Sequence, residues 1–175
     1  MSGARFAVAL LALCLATAGA AQARLRIFSY DPADAETRHA AGNLTFEFDQ
    51  GLTSTTVRRI LATDAEASAE LTRASAGALG DLAGAASGRD LYAVAAADQG
   101  SALIDAFCPG ATRAWMAFGK VKYNRDLRIL VLGDGGAGGK PRLCRTLGFT
   151  FHGEWRVPSN GHIDPHDLER RRLPT

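Results

Sequence analysis

The chain lacks an excess of charge of either sign. It contains 20 Lys and Arg residues against 18 Asp and Glu residues, which gives a formal net charge of +2. Proteins that bind nucleic acids or anionic membrane surfaces by electrostatics carry far more concentrated positive charge. The sequence therefore gives no electrostatic case for a nucleic-acid partner, and we expect none.

The common catalytic signatures are also missing. The sequence contains no Gly-x-Ser-x-Gly motif, the mark of a hydrolase nucleophile on a strand-to-helix turn. The glycine-rich run 133–140 looks like a phosphate-binding loop. However, Asp134 replaces a required glycine, and Pro141 replaces the hydroxyl that holds magnesium. We interpret this run as a hairpin loop and predict no cofactor.

Long apolar stretches are missing beyond the N-terminus. The first 23 residues combine Arg5, an apolar stretch at 6–18 and small residues at Ala21 and Ala23. This layout predicts a secretory signal peptide that is cleaved after Ala23, the alternative being a short N-terminal anchor or a buried helix. The apolar stretch is short for a membrane span. We therefore predict a periplasmic or secreted protein without a transmembrane segment in the mature chain.

Cysteine is scarce, with three residues in the chain. Cys14 lies inside the predicted signal peptide, and Leu13 before it is not the small residue that precedes an acylated cysteine. Cys108 and Cys144 remain after cleavage, and an even pair in an oxidising compartment predicts one disulfide. Two buried free thiols are the alternative. Neither cysteine has a second ligand at zinc-finger spacing, so we predict no metal site.

The predicted mature chain, residues 24–175, is long enough for one domain with a real core. We place that domain at 24–158 and a polar tail at 159–175. Alternating or continuous apolar residues predict a series of strands. They lie at 25–30, 43–49, 91–94, 113–122, 127–132 and 142–151, with 154–157 continuing the last strand after a bulge at Gly153.

Residues 54–88 are ambiguous. The segment 57–63 fits either a strand or a helix capped by Ser54, and the Ala-, Ser- and Gly-rich remainder fits a marginal helix or a mobile insert. A helix with an apolar face at 103–107 ends at Cys108. These elements predict an α+β domain, a mostly antiparallel sheet with one or two helices packed on one face.

One pair of side chains could perform proton-transfer or metal chemistry. His152 and Glu154 stand at the end of a predicted strand and share a face if no bulge separates them. Asp49 or Glu47 from a neighbouring strand could complete the group. The alternative is a solvated histidine at the end of a strand.

Two further polar segments are weaker candidates. His162, Asp164 and His166 cluster in the tail, but Pro165 interrupts them and a tail does not hold ligands rigidly. The polar run 31–39 predicts a short solvated turn. We assign neither segment a metal.

Three functions remain open. The leading hypothesis is an exported, small, soluble and non-enzymatic domain that binds a protein partner or a small ligand in the cell envelope. The first alternative is an exported hydrolase or metal-dependent enzyme that uses His152 and Glu154. The second is a carrier of small apolar molecules. Its cavity would be lined by Phe46, Phe48, Phe149 and Phe151.

Overall fold

The computed structural model describes residues 24–50, 55–136 and 139–156. The predicted signal peptide with its cleavage at Ala23 lies outside the described residues. So does the tail with His162, Asp164 and His166.

Eight strands and two α-helices follow one another in the described part of the chain. The strands are β1 (Arg24–Pro32), β2 (Leu44–Gln50), β3 (Thr55–Ala62), β4 (Ala67–Arg73), β5 (Asp90–Val94), β6 (Ala114–Phe118), β7 (Leu127–Gly133) and β8 (Arg142–Arg156). Helix α1 (Ala35–Ala41) joins β1 to β2, and helix α2 (Gly100–Phe107) joins β5 to β6. A 3-10 helical segment, Ala76–Ala86, joins β4 to β5.

The strands form a closed antiparallel barrel in which each strand pairs with the next one along the chain. The barrel closes where β1 pairs with β8, with Tyr30 opposite Phe151. The predicted α+β sheet with helices on one face is therefore wrong. The ambiguous segment 54–88 contributes two strands, β3 and β4, which brings the sheet to eight strands. Because strands twist relative to their neighbours, a sheet of eight strands can curl until its first strand pairs with its last.

The barrel interior is the main core. Strand β2 shows the underlying alternation, because Leu44, Phe46 and Phe48 are buried while the residues between them are partly exposed. This agrees with the strand predicted at 43–49 from its alternating apolar residues. The largest fully buried side chains of this core are Tyr30, Tyr92, Phe46, Phe48, Phe107, Phe118 and Phe149.

The two helices close one end of the barrel. In an antiparallel barrel the β1–β2 and β5–β6 connections emerge at the same end, and α1 and α2 contact each other there. The N–H of Thr37 donates to Asp34 Oδ1 (2.7 Å), which caps α1, and the Thr37 hydroxyl accepts from the N–H of Gly148 (3.0 Å). Leu103 and Phe107 of α2 are fully buried in the interior core. The helix predicted at 103–107 is confirmed as α2, but it closes one end of the barrel instead of covering a face of a sheet.

The predicted disulfide is confirmed. Cys108, directly after α2, is bonded to Cys144 in β8, with their α-carbons 5.2 Å apart. The bond joins the end of α2 to strand β8 of the barrel wall. Residues 134–141 connect the antiparallel neighbours β7 and β8, as the interpretation of this run as a hairpin loop requires.

The 3-10 segment covers part of the outer wall and forms a second, smaller core. Leu79 is fully buried there, beside Trp115 of β6 and Leu132 of β7. This cover explains why β6 is buried on both faces. The marginal helix that composition predicted is present as a 3-10 helix, interrupted by non-helical backbone at Gly80. Among the described residues, no helix has the length and apolar composition needed to cross a membrane.

Candidate ligand site at the open end of the barrel

The end of the barrel opposite the helices contains a cleft of about 410 Å³. It lies where β2, β4 and β6 end and β3 and β5 begin, under the connection from β6 to β7. We call it the open cleft. Its lining comprises Phe48, Thr55, Val57, Arg73, Asp90, Tyr92, Phe118, Gly119, Lys120, Val121 and Lys122.

The floor of the open cleft is apolar and largely aromatic. Phe48, Val57, Tyr92 and Phe118 are all at most 3% exposed. The rings of Tyr92 and Phe118 stack with their centroids 4.9 Å apart and their planes at 9°. The floor therefore offers rigid ring surface to the apolar part of a ligand.

The rim of the open cleft is cationic. Arg73, Lys120 and Lys122 line it, and Asp90 is the single carboxylate among the described residues of the lining. Arg73 Nη1 lies 3.5 Å from Asp90 Oδ1, with the two side chains 58% and 33% exposed. The guanidinium carbon of Arg73 lies 5.8 Å from the centre of the Tyr92 ring. After this ion pair is counted, two positive charges remain on the rim.

The phenol of Tyr92 stays neutral at physiological pH. Burial raises its pKa, and the positive charge of Arg73 opposes that shift without cancelling it. The aromatic floor therefore adds no negative charge that would repel an anion from the rim.

A bulge separates the two residues of the predicted catalytic pair. The pairing of β1 with β8 shifts between Ser29 and Tyr30, which leaves His152 as the extra residue. His152 is exposed on the outer wall, and its Nδ1 lies 2.9 Å from Asp31 Oδ2. Glu154 lies opposite Phe28, a core residue of β1. The structure therefore does not bring His152 and Glu154 to one face.

The remaining members of the predicted group also lie elsewhere. Glu47 and Asp49 alternate with the inward-facing phenylalanines of β2, so they face outward, and β1 separates them from β8. Glu154 Oε1 instead accepts from Arg26 Nε at 2.6 Å. Within 24–50, 55–136 and 139–156, no group of three or more His, Cys, Asp or Glu residues could hold a metal ion.

The space predicted as a cavity between four phenylalanines is filled by their own side chains and by neighbouring rings. Phe46 and Phe149 are buried in the interior core, and Phe46 contacts Phe118 with ring centroids 5.4 Å apart. Phe151 packs between Tyr30 and Phe28, with both centroid distances 5.6 Å. Of the four phenylalanines, Phe48 lines the open cleft.

Sequence reasoning missed the cations of the rim. Lys120 and Lys122 flank Val121 shortly after an apolar strand. This alternation of two cations with an apolar residue was the sequence feature that could have indicated the rim. Arg73 ends β4, a strand that the composition of 54–88 concealed. No protein family model, curated protein or solved structure matches the chain.

Proposed function

We propose that the protein is an exported, non-enzymatic binding protein that holds a small amphipathic anion in the open cleft. The observation that carries this proposal is the combination of an aromatic floor with a cationic rim in one cleft of about 410 Å³. Ligand sites commonly combine an apolar lining with a few charged groups that fix the ligand's orientation, and the ends of β-barrels are common places for them. Export follows from the predicted signal peptide and agrees with the disulfide.

The two parts of the cleft would contribute differently to binding. Apolar surface removed from water contributes roughly 25 cal/mol per Å², so contact with Phe48, Tyr92 and Phe118 supplies affinity. Lys120 and Lys122 are exposed, so their charges orient the ligand and contribute less to its affinity than the apolar contact does. The ligand would therefore lie with its apolar end on the rings and its charged end at the rim.

The packed interior favours this proposal over a carrier that encloses its ligand. Phe46 contacts Phe48 and Phe118, Phe151 packs against Tyr30 and Phe28, and Phe149 is buried, so a ligand would remain near the open end. A purely apolar ligand would also leave the rim cations without a role. Because the bulge separates His152 from Glu154, no observation favours the hydrolase alternative.

The test is a fluorescence titration with 1-anilinonaphthalene-8-sulfonate, an anion with an apolar ring system. We expect saturable binding of one probe molecule to the folded protein. Thr55→Trp should weaken this binding at least about tenfold, because Thr55 is exposed at the rim and a larger side chain fills the cleft.

The matched control is Thr146→Trp, which places the same side chain at an exposed position of β8 outside the cleft lining. This variant should bind the probe as the wild-type protein does. Absence of saturable binding, or equal binding by both variants, contradicts the proposal.

A further inference from the structure

We propose that the charged end of the ligand is a doubly charged phosphoryl group, which makes the ligands of the open cleft phosphomonoesters with an apolar chain or ring. This inference rests on the proposed function, because it specifies the ligand of the same site. It adds the chemical class of the group that meets the rim.

The balance of charge in the lining favours a doubly charged group. Arg73 already faces Asp90, whereas the described part of the lining holds no second carboxylate for Lys120 and Lys122. A carboxylate or sulfate ester, with one negative charge, would leave one of these positive charges unmatched. A phosphomonoester carries close to two negative charges at neutral pH and matches both.

The donors of the rim also suit a group with three terminal oxygens. Lys120 and Lys122 lie two positions apart on the β6–β7 connection and both line the cleft. Lysine ammonium groups act as compact charges with three donors each, which suits a group with three terminal oxygens. Arg73 Nη1 lies 3.5 Å from Asp90 Oδ1, and the guanidinium lies over the Tyr92 ring. A guanidinium has five N–H donors, so this ion pair leaves Arg73 with donors for a third oxygen.

The pH dependence of binding would distinguish a phosphoryl group from a singly charged group. The charged and titratable groups of the lining are Arg73 from β4, Asp90 and Tyr92 from β5, and Lys120 and Lys122 from the connection. None of them is a histidine, the side chain whose ordinary titration falls between pH 5 and 8. The second proton of a phosphomonoester is lost near pH 6. A loss of affinity between pH 8 and pH 5.5 would therefore indicate that the ligand's phosphoryl group has taken up its second proton.

The experiment is isothermal titration calorimetry of the full-length protein with octyl phosphate and octyl sulfate, at pH 8 and at pH 5.5. The two probes share one apolar chain, but octyl sulfate keeps a single charge at both pH values. We expect octyl phosphate to bind about tenfold more tightly at pH 8 and to lose that advantage at pH 5.5. Inorganic phosphate, which has no apolar part, should bind far more weakly than octyl phosphate.

The variants assign the effect to the rim. The double variant Lys120→Gln with Lys122→Gln should remove the preference for octyl phosphate while keeping the affinity for octyl glucoside, an uncharged probe. The control is Lys140→Gln, whose side chain is 91% exposed in the β7–β8 connection at the helix-closed end. It should behave as the wild-type protein.

The outcomes separate this inference from the proposed function. If neither octyl anion binds, both fail. If octyl phosphate and octyl sulfate bind equally at pH 8, and Thr55→Trp abolishes both, the site stands and the phosphoryl assignment is overturned. A preference that survives the double lysine variant also overturns it. Binding to phosphatidate vesicles as well as to octyl phosphate supports the assignment with a lipid headgroup as the source, and binding to octyl phosphate alone supports it with a soluble ester.

Discussion

The α-carbon of Gly133 lies so close to the sulfur of Cys108 that a β-carbon on Gly133 would overlap that sulfur. The same β-carbon would lie 2.9 Å from the β-carbon of Ala111 and 3.1 Å from the sulfur of Cys144. The disulfide therefore passes directly over the last residue of β7. The glycine at this position is required by the bond and not by the turn that follows it.

Gly133→Ala should destabilise the oxidised protein by roughly 1–3 kcal/mol, because the added methyl group has no room beside the disulfide. In a Cys108→Ala, Cys144→Ala background the same substitution should cost much less. The measurement is the free energy of unfolding in urea for each variant. Gly153→Ala is the control, since a β-carbon there has no atom within 4 Å. An equal cost in both backgrounds would show that the sulfur atoms are not the obstacle.

Local alternation identified much of the barrel from the sequence. The predicted strands at 43–49 and 127–132 correspond to β2 and β7, and the predicted bulge near Gly153 is present in β8. These features depend on neighbours a few residues apart. Barrel closure pairs Tyr30 with Phe151, more than a hundred residues away, and no local pattern records such a contact.

Strand β3 shows why residues 54–88 were ambiguous. Val57 and Ile60 both face the interior although they are three positions apart, a spacing that is typical of a helix. The structure explains it by a bulge. Phe48 pairs with Val57 and Glu47 pairs with Arg59, which leaves Arg58 as an extra residue in β3. A bulged strand and a short amphipathic helix therefore have the same apolar spacing.

The candidate site was harder to predict than the fold. Its floor comes from β2, β3, β5 and β6, and its cations come from the end of β4 and the β6–β7 connection. Arg73 and Lys120 are 47 positions apart, and neither belongs to a motif. Their meeting depends on barrel closure, so the sequence could supply the residue types without their arrangement.

Asp134 is a buried carboxylate that fixes the start of β6. It is 2% exposed and accepts from the N–H and hydroxyl of Thr112 (2.8 and 2.7 Å) and from the N–H and Nε of Arg113 (both 3.2 Å). Burial raises its pKa, but these donors outweigh burial and hold the pKa of Asp134 well below its usual value. The ionised form is therefore the one that stabilises the fold.

Asp134→Asn should lower the free energy of unfolding at pH 7 by roughly 1–3 kcal/mol, since an amide nitrogen cannot accept from these donors. Because the pKa of Asp134 is lower in the folded state, its contribution is present above about pH 4 and is lost as the pH falls below that. The difference between wild type and variant should thus shrink between pH 4 and pH 2. Asp81→Asn, at a side chain 94% exposed, is the control. A difference that stays constant down to pH 2 would contradict this role.

The hydroxyl of Tyr30 is buried in the barrel interior and has no hydrogen-bond partner among the described residues. Its ring packs edge to face against Phe46 and Phe151. Burial, assisted by the charge of Asp126, raises the pKa of Tyr30 far above its ordinary value. The ring therefore contributes to stability, whereas the hydroxyl costs free energy because it loses its contact with water.

Tyr30→Phe should leave the stability unchanged or raise it by up to about 1 kcal/mol at pH 7.5, since no hydrogen bond is lost. A pKa raised by folding gives stability that is present below about pH 10 and lost above it, as the unfolded chain ionises. The variant should therefore lose less stability than wild type between pH 9 and pH 11 in urea unfolding. Tyr123→Phe, at a 63% exposed ring, should match wild type. A marked loss of stability at pH 7.5 would reveal a partner for the Tyr30 hydroxyl.

His152 and Glu154 provide the last test, because the bulge places them on opposite faces of β8. The Glu154 side chain is 10% exposed and binds Arg26, which also donates to Gln50 (3.1 Å) and lies 5.0 Å from the centre of the Phe28 ring. The hydrogen bond to Glu154 raises the pKa of Arg26 and keeps it charged. The pair that His152 forms with Asp31 is exposed, and such pairs contribute little.

Glu154→Ala should therefore lower the free energy of unfolding by roughly 1–3 kcal/mol, because it leaves a part-buried arginine without its carboxylate. His152→Ala should change it by less than about 1 kcal/mol. A larger loss from His152→Ala would place the bulge elsewhere in β8. The same variants address catalysis, because two side chains on opposite faces of a barrel wall cannot act on one substrate group. An activity that both substitutions abolish, with the fold intact by circular dichroism, would overturn the non-enzymatic proposal.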